Sequence, residues 1–263
     1  MQVVGRVESL WRYPVKSMRG EQRPHVFVGF PGVYGDRVYA IRSSAARHGF
    51  PYHTAREQPQ MLRYRASFRE AAPMALPPNL ADAEALPPGA TPQYAGVAER
   101  MADVMTPSGE VLSIDDGRLM ELLAQGKRDG LQLSLLRSER ALTDCRPISL
   151  ISLQTTRQLS DEVGQPLDKR RFRANVYVDL ASGTGFSENA WVGRRLRIGS
   201  KAEIAVMDRD PRCKMITLDP DTAEANPDVI RCVTTDHDGT AGIYAAVLVE
   251  GVIHEGDAIA LAD

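Results

Sequence analysis

The sequence predicts a mainly β protein of the α+β kind, with a β-rich N-terminal part and a few short helices. Short stretches of alternating or β-branched apolar residues recur along the chain, and Gly, Asp and Pro turns separate them. Only two segments have clear helical spacing. There is no glycine-rich phosphate loop, so the brief strands fit a β-barrel or a β-sandwich better than a doubly wound sheet.

The predicted strands begin at the N-terminus. The stretch "QVVGRVESLWRYPVKS" alternates apolar and polar residues until Pro14, and "RVYAIRS" repeats this period from Arg37. Such alternation is typical of strands with one buried face. The later predicted strands are "RFRANVYVDL", "RRLRIG", "AEIAVMD", "KMITLD", "IYAAVLVEGVI" and "DAIALAD".

Two short helices are predicted between the strands. The leucine spacing in "DGRLMELLAQG" fits a helix that ends at Gly126. In "SLQTTRQLSDEVG", Ser152 is a suitable N-cap and Gly164 a suitable stop. A Pro- and Ala-rich stretch near 73–92 predicts an exposed loop or insertion, because proline cannot donate to a strand ladder.

Composition excludes several classes of protein. With a net charge of -2, the chain lacks the excess of Lys and Arg that general binding to nucleic acid or to a membrane surface needs. It has no window of about 18 apolar residues and no cleavage signal at its N-terminus, so we expect a cytoplasmic protein without membrane partners. Its three widely spaced cysteines indicate neither a disulfide framework nor a zinc knuckle.

Cys213 is the cysteine with the strongest signal for chemistry. It lies in "DRDPRCKMITLDP" between Arg212 and Lys214, and neighbouring cations favour the thiolate, which attacks electrophiles or binds soft metals. A buried structural role remains the alternative. Cys232, in the apolar run "VIRCVTTD", is predicted to be a small core residue, and Cys145 precedes a strand.

Several polar residues are candidates for binding an anion. Lys16 and Ser17 follow a proline turn, where an ammonium, a hydroxyl and backbone N–H groups can converge. Taken alone, Lys16 is more simply a solvated residue at the start of a loop, and an arginine-bearing strand face is usually solvated. The others are Arg37 in "GDRVYAI", Arg56 in "TARE", and Arg171, Arg173 and Asn175, which the alternation places on one strand face.

Eight motifs together resemble those of MOSC-domain proteins, the family named after the C-terminal domain of molybdenum cofactor sulfurase. Their order along the chain is specific, although each motif alone is weak. The N-terminal half resembles the MOSC N-terminal β-barrel domain, as in the amidoxime-reducing components. The motifs are "LWRYPVKSMRG", "GDRVYAI", "HTAREQPQML", "DCRPISLISLQTTRQL", "RFRANVYVD", "FSENAWVGRRLRIG", "RCKMITLDPDT" and "GVIHEGDAIAL".

The resemblance implies a MOSC-type β-barrel and a molybdenum cofactor, that is, molybdenum bound to molybdopterin. It divides the chain into an N-terminal β-barrel-like domain, 1–115, and a MOSC domain, 116–263. It makes Cys213 the protein ligand of the metal, which suits a site that contains the sulfurs of the pterin dithiolene. The residues implied to hold the phosphate and pterin are Lys16, Ser17, Arg37, Arg173, Asn175 and Arg212.

The resemblance also places Asp144 close to the metal. A carboxylate there can relay protons or orient a substrate, and a turn-capping role before Pro147 is the alternative. The chain departs from the family pattern at three positions near these motifs: Met18, Ala174 and Pro211.

The implied activity is reduction of N-hydroxylated small molecules, such as amidoximes or hydroxylaminopurines. Three cysteines cannot supply the four thiolates of an iron–sulfur cluster, so the expected partner is a separate electron donor of iron–sulfur, flavin or haem type. The main alternative is a sulfur carrier or cofactor-handling protein that holds a persulfide on Cys213. A third possibility is a degenerate interaction module, which the retained anion-binding residues disfavour.

Overall fold

A computed structural model of the chain describes residues 2–69, 76–87, 90–96, 102–126 and 130–262. Ten strands lie in the first part of the described chain. They are β1 (Gln2–Arg12), β2 (Glu21–Arg23), β3 (His25–Gly29), β4 (Gly32–Val33), β5 (Tyr39–Arg47), β6 (Phe50–His53), β7 (Arg65–Phe68), β8 (Ala102–Met105), β9 (Val111–Ser113) and β10 (Leu133–Arg137).

Seven further strands follow, with four α-helices distributed along the described residues. The strands are β11 (Ile148–Ser152), β12 (Val176–Leu180), β13 (Arg195–Ile198), β14 (Ala202–Pro211), β15 (Thr240–Val249), β16 (Gly251–His254) and β17 (Ala258–Ala262). The helices are α1 (Leu80–Glu84), α2 (Gly117–Ala124), α3 (Leu153–Val163) and α4 (Pro227–Asp236). Each helix in the described part of the chain is too short or too polar to span the hydrocarbon core of a bilayer.

A closed barrel of seven strands is the largest unit of the fold. Its strand order is β12-β11-β15-β14-β13-β17-β1, and β1 pairs back onto β12 to close the ring. All neighbouring pairs are antiparallel except β11 and β12. The predicted β-barrel with a β-rich N-terminal part and few short helices is therefore confirmed.

Strand β1 ties the two halves of the chain together. It is the most N-terminal strand, yet it lies between β12 and β17, which come from the C-terminal half. Strand β16 likewise pairs with β3. Hydrogen-bonded ladders thus cross the predicted division between 1–115 and 116–263, and that division stays a prediction.

Alternation along the barrel strands separates two cores. In β12, Val176 and Val178 face the barrel interior with Val7 and Ile204, whereas Tyr177 points to the other side of the sheet. There it packs in an outer layer formed by helices α3 and α4, which includes Leu159, Val229 and Val233. A third core lies under the smaller sheets β10-β5-β6 and β7-β8-β9 and contains apolar residues of α2.

The two predicted helices are present as α2 and α3. The Ser152 hydroxyl accepts a hydrogen bond from the backbone N–H of Thr155, so it caps α3 as expected. Gly164 ends that helix in the left-handed conformation, with φ of 76°, which glycine adopts without a steric cost.

Helix α4 was not predicted. The run around Cys232 was interpreted only as an apolar core segment, but it is helical. The local signals are present: Asn226 accepts from the N–H of Asp228, and Pro227 occupies the first turn. Cys232 is half-buried against the outer core, so its predicted packing role is met only in part.

Three other predictions were wrong in detail. The stretch "KMITLD" is not a strand, because Lys214–Thr217 forms a turn of 3₁₀ helix. In "RFRANVYVDL" the strand begins only at Val176, and Lys169–Phe172 is a second 3₁₀ turn, capped by Asp168. In the expected loop near 73–92, α1 forms one helical turn, while 73–75 and 88–89 lie outside the described residues.

Candidate active site

A cleft of about 310 Å³ opens where loops from both halves of the chain meet one end of the barrel. All eight residues predicted for the site line this cleft. They are Lys16, Ser17, Arg37, Asp144, Arg173, Asn175, Arg212 and Cys213. Their roles stay predictions, but the fold brings the whole set together from five separate segments.

The loop after β1 enters the cleft beside the start of β5. The backbone N–H of Lys16 donates to the carbonyl of Tyr39 (2.8 Å), and the N–H of Tyr39 donates to the carbonyl of Pro14 (3.1 Å). The N–H of Arg37 also donates to the carbonyl of Tyr13 (2.6 Å). These bonds hold the predicted anion-binding residues of the N-terminal half next to one another.

Three site residues have a left-handed backbone. Ser17, Arg37 and Arg173 have φ values of 66°, 47° and 51°. Residues other than glycine rarely adopt the left-handed region, because Cβ then approaches the following carbonyl oxygen at a cost of roughly 1–2 kcal/mol per residue. Strain of this kind often accompanies functional sites, where neighbouring contacts hold the backbone in place.

The ring of Tyr13 lies against two of the site's cations. The guanidinium carbons of Arg37 and Arg173 lie 4.7 and 4.3 Å from its centroid, within the range of cation–π contacts. The Tyr13 hydroxyl donates to the carbonyl of Ala174 (3.1 Å), and Arg37 donates to the carbonyl of Arg173 (3.1 Å). A buried aromatic ring therefore joins arginines that lie 136 positions apart in the sequence.

Lys16 is buried, and its ammonium is already engaged. It pairs with the carboxylate of Asp144 and donates to the carbonyl of Leu142 (2.7 Å). Burial lowers the pKa of Lys16 to about 8, although the Asp144 carboxylate opposes the shift. Arg56 pairs with the other oxygen of Asp144 at 2.5 Å. Burial acts to raise the pKa of Asp144, but Lys16 and Arg56 outweigh it and lower that pKa.

Asp210 anchors the opposite wall of the cleft. Its buried carboxylate pairs with Arg212 (2.8 Å) and accepts from the hydroxyl of Ser149 (2.7 Å). Arg212 also donates to the carbonyls of Ala241 (2.7 Å) and Phe172 (2.8 Å). Burial raises the pKa of Asp210 despite the nearby guanidinium. The side chain of Arg212 is thus fixed on several sides.

The three cysteines occupy different settings. Cys213 is half-buried in the cleft, directly before the 3₁₀ turn Lys214–Thr217. Cys145 is exposed and lines the same cleft. Cys232 lies on α4, where burial and the Glu162 carboxylate raise its pKa to about 12, so its thiol is protonated at neutral pH. The structure therefore brings a second thiol to the site, which the sequence analysis had treated as unremarkable.

The prediction that Arg171 and Arg173 share a strand face was wrong. The 3₁₀ turn Lys169–Phe172 replaces the strand, because the Asp168 side chain accepts from the N–H of Arg170 and begins a turn. Both arginines still line the cleft, Arg173 through its left-handed backbone. Its guanidinium donates to the carbonyl of Met18 (2.9 Å), a contact that does not depend on which side chain Met18 carries.

Further residues line the cleft beside the eight predicted for the site. Two of them, Arg56 and Arg171, were candidates for binding an anion. Ser149, Asp210 and Tyr244 were not singled out, because their importance depends on contacts with distant residues.

The cleft is suited to an anion. Among the described residues, seven basic side chains and two acidic ones line it, although the whole chain has a net charge of -2. Buried N–H groups of Arg56, Arg171 and Arg173 have no hydrogen-bond partner within the part of the chain that the structure describes. Burial lowers the pKa of Arg173 to about 10, so it remains a cation at neutral pH. A bound phosphate would satisfy such groups.

Family comparisons agree with this architecture. The model of the MOSC domain matches residues 137–260, and that of the MOSC N-terminal beta barrel domain matches residues 4–86. The chain belongs to the MOSC-domain family. The MOSC domain is associated with binding of the molybdenum cofactor.

Solved structures include distant MOSC relatives. The YuaD protein from Bacillus subtilis is 14% identical, with a TM-score of 0.49, and the similarity covers 98% of this MOSC chain and 96% of that one. YiiM from Geobacillus stearothermophilus is 20% identical (TM-score 0.36) and YiiM from Escherichia coli 16% (TM-score 0.34). Each YiiM match covers 45% of this chain and 55% of the YiiM chain, so it spans about half the length of YiiM. Among curated proteins, none matches significantly.

Proposed function

We propose that this MOSC protein is a molybdenum-cofactor-binding oxidoreductase that reduces N-hydroxylated compounds with electrons from a separate donor protein. The observation that supports the proposal best is the composition of the cleft, which combines Cys213 with buried cations from both halves of the chain. The substrate, the type of donor and a cytoplasmic location are parts of the same proposal.

The residues present fit such a cofactor. The N–H groups of Arg171 and Arg173 that lack partners are donors for a phosphate dianion, and Arg37 adds a nearby positive charge. The thiolate of Cys213 is a soft donor and would bind molybdenum alongside the dithiolene sulfurs. Asn175 is already bonded to the backbone of Trp11 and Ser149, so it shapes the loop that carries Arg173.

When bound, the cofactor would supply two electrons, which with two protons convert an N-hydroxyl group into N–H and water. Protons must then reach the cleft. Lys16 Nζ, with a pKa of about 8, holds a proton at neutral pH and can release it more readily than an ordinary lysine. Asp144 lies between Lys16 and Arg56, where its carboxylate orients both cations. We assign Asp144 and Lys16 to proton handling at the substrate.

Two aromatic rings lie beside these cations. The ammonium of Lys16 is 4.7 Å from the ring centroid of Tyr52, and the guanidinium of Arg56 is 4.6 Å from that of Phe50. The two rings pack edge to face at 5.0 Å. Cation–π contacts with these rings help to hold Lys16 and Arg56 beside Asp144.

The test uses protein made in a host that synthesises the cofactor. Molybdenum and pterin are measured after purification, and turnover of benzamidoxime and of a hydroxylaminopurine is followed with reduced viologen as the electron source. We expect cofactor near one equivalent and reduction that requires it. Protein with bound molybdenum that reduces none of several N-hydroxylated substrates would contradict the proposal.

One observation favours the second candidate, a sulfur carrier. Cys145 and Cys213 line the same cleft, and a neighbouring thiol can take part in exchange with a persulfide. A carrier would accumulate cyanide-releasable sulfur on Cys213 when supplied with a desulfurase, whether or not the cofactor is present. The buried cations favour stable cofactor binding, so we expect the reductase result.

A further inference from the structure

A second group of metal-ligating side chains lies on the helical layer, outside the cleft. Glu162 lies near the end of α3, Cys232 lies within α4, and His237 follows the last residue of α4. One ligand atom of each lies within 4.8 Å of the others. The Cys232 thiol lies 3.3 Å from Glu162 Oε2, and His237 Nε2 lies 2.6 Å from the same oxygen. A thiol, an imidazole and a carboxylate thus converge on one point.

Neighbouring residues hold these ligands in position. Gln158, one turn before Glu162, donates to its other oxygen (2.8 Å). Phe186 stacks on the imidazole of His237, with centroids 3.9 Å apart and an interplanar angle of 17°. The backbone of Phe186 is itself fixed, since its N–H donates to the hydroxyl of Thr155 (2.7 Å). Supporting contacts of this kind orient the ligands of metal sites.

One separation is already close to that of a tetrahedral zinc site. Bonds of about 2.3 Å to sulfur and 2.0 Å to oxygen place these two atoms roughly 3.5 Å apart, near the observed 3.3 Å between Cys232 and Glu162. The nitrogen–oxygen pair must widen by roughly 0.7 Å, because a hydrogen bond now joins it. Glu162 is part-exposed, so its carboxylate has room to make this adjustment.

A fourth ligand is available on the same helix. Asp236 lies one turn after Cys232 and is close enough to accept a hydrogen bond from its thiol. It is exposed, so either its carboxylate or a water molecule could complete the coordination. Thiolate and imidazole together select borderline metals such as Zn²⁺ over the hard ions Mg²⁺ and Ca²⁺.

We propose that Glu162, Cys232 and His237 form a binding site for Zn²⁺ that links α3 to α4. On binding, a metal–sulfur bond replaces the S–H bond of Cys232, and the proton goes to solvent. The site does not depend on the molybdenum cofactor. The backbone that follows His237 also contacts the cleft. The side chain of Arg212 donates to the carbonyl of Ala241, and the backbone N–H of Arg212 donates to the carbonyl of Gly239 (2.8 Å).

Cobalt is the probe, because Co²⁺ bound to a thiolate absorbs strongly by charge transfer. Cys145→Ser and Cys213→Ser are combined, so that Cys232 is the remaining thiol of the three in the chain. This full-length protein is treated with a chelator and titrated with Co²⁺ alone. We expect one equivalent to bind with charge-transfer and intense d–d absorption typical of tetrahedral coordination, and Zn²⁺ to displace it.

Variants of each ligand complete the test. His237→Gln and Glu162→Gln should weaken cobalt binding at least tenfold, and Cys232→Ser should abolish the charge-transfer band. Zn²⁺ should raise the melting temperature of the parent protein but not that of His237→Gln. The matched controls His48→Gln and Glu224→Gln change exposed residues elsewhere and should leave binding unchanged.

Three outcomes would overturn the proposal. They are no charge-transfer band at a large excess of Co²⁺, affinity unaffected by His237→Gln, and octahedral spectra without a thiolate contribution. Each would show that the three side chains form only a hydrogen-bonded cap at the end of α4. Circular dichroism of the variants establishes that any loss of binding occurs in folded protein.

Discussion

The carboxylate of Asp144 pairs with the buried ammonium of Lys16, although 128 positions separate them in the sequence. The same carboxylate holds Arg56, so one acid joins two cations of the N-terminal half to the segment before β11. Burial disfavours the charged form of Lys16, and Asp144 opposes that effect. Because the pKa of Lys16 is about 8, the charge of the cleft changes near neutral pH, and Asp144 favours the charged form of Lys16.

Binding of an anion should report the titration of Lys16. In cofactor-free protein we expect the affinity for inorganic phosphate to fall as the pH rises through about 8, because Nζ then loses its proton and its charge. Calorimetry between about pH 7 and 9 measures this. Lys16→Arg keeps its charge over that range, so it separates the lysine's titration from that of phosphate itself. An identical pH profile in both proteins would contradict the assignment.

Asp144→Asn should slow turnover more than it lowers cofactor content. The amide carries no charge to orient Lys16 and Arg56, and without the negative charge the pKa of Lys16 should fall below 8. The pH profile of kcat should shift in the acidic direction, while pterin content per chain changes little. Loss of cofactor in proportion to activity would instead make Asp144 a binding residue.

Replacement of the two cleft cysteines by serine should affect activity very differently. Cys213→Ser should lower molybdenum-dependent reduction on the order of 100-fold or more, because a hydroxyl is a poor ligand for a soft metal site. Cys145→Ser changes the other thiol of the same cleft and is the matched control, with activity near that of the parent. Reduction and metal content are measured on folded protein. Full activity of Cys213→Ser would remove this cysteine from the mechanism.

Arg37 should contribute to stability as well as to binding. It pairs with Asp36, whose side chain is fully buried, so Arg37→Ala leaves a buried charge and should lower the free energy of unfolding by about 3 to 5 kcal/mol. The double variant Asp36→Asn with Arg37→Ala should lose less stability than Arg37→Ala alone. It leaves no buried charge, and the amide oxygen can still accept from the N–H of Tyr13. Urea denaturation measures both.

The exposed ion pair of Arg118 and Glu110 supplies the control for that comparison. Arg118→Ala removes a partner that is 56% exposed, so stability should hardly change. If the single variant at Arg37 were no less stable than the double variant, the buried pair would not be the cause.

Removal of β1 should prevent the barrel from closing. A fragment of residues 116–263 leaves β12 and β17 with unpaired edges, and it exposes Val178 and Ile259 on the barrel side. We expect this fragment to aggregate or to lack cooperative unfolding. Addition of a peptide of residues 1–24 should restore solubility. A stable, cooperatively folded fragment would support an independent domain beginning at 116.

Local features were readable from the sequence because they depend on residues a few positions apart. The alternation that predicted β1 and β5, the Ser152 cap and the Gly164 stop each rest on such short-range preferences. The short turns around Arg173 and Cys213 were mistaken for strands, since a β-branched or arginine-rich run of a few residues does not distinguish a strand from a capped 3₁₀ turn.

The class of fold, the two helices and the residues that carry the family resemblance follow from the order of the amino acids. Three features become visible only in the folded chain: β1 closes the barrel, Asp144 pairs with Lys16 and Arg56, and Cys145 shares the cleft with Cys213. The two sets differ in the range of the interactions that produce them. Side-chain alternation and capping act between near neighbours, whereas the choice of strand partners and of buried ion pairs depends on residues that approach only when the barrel has closed.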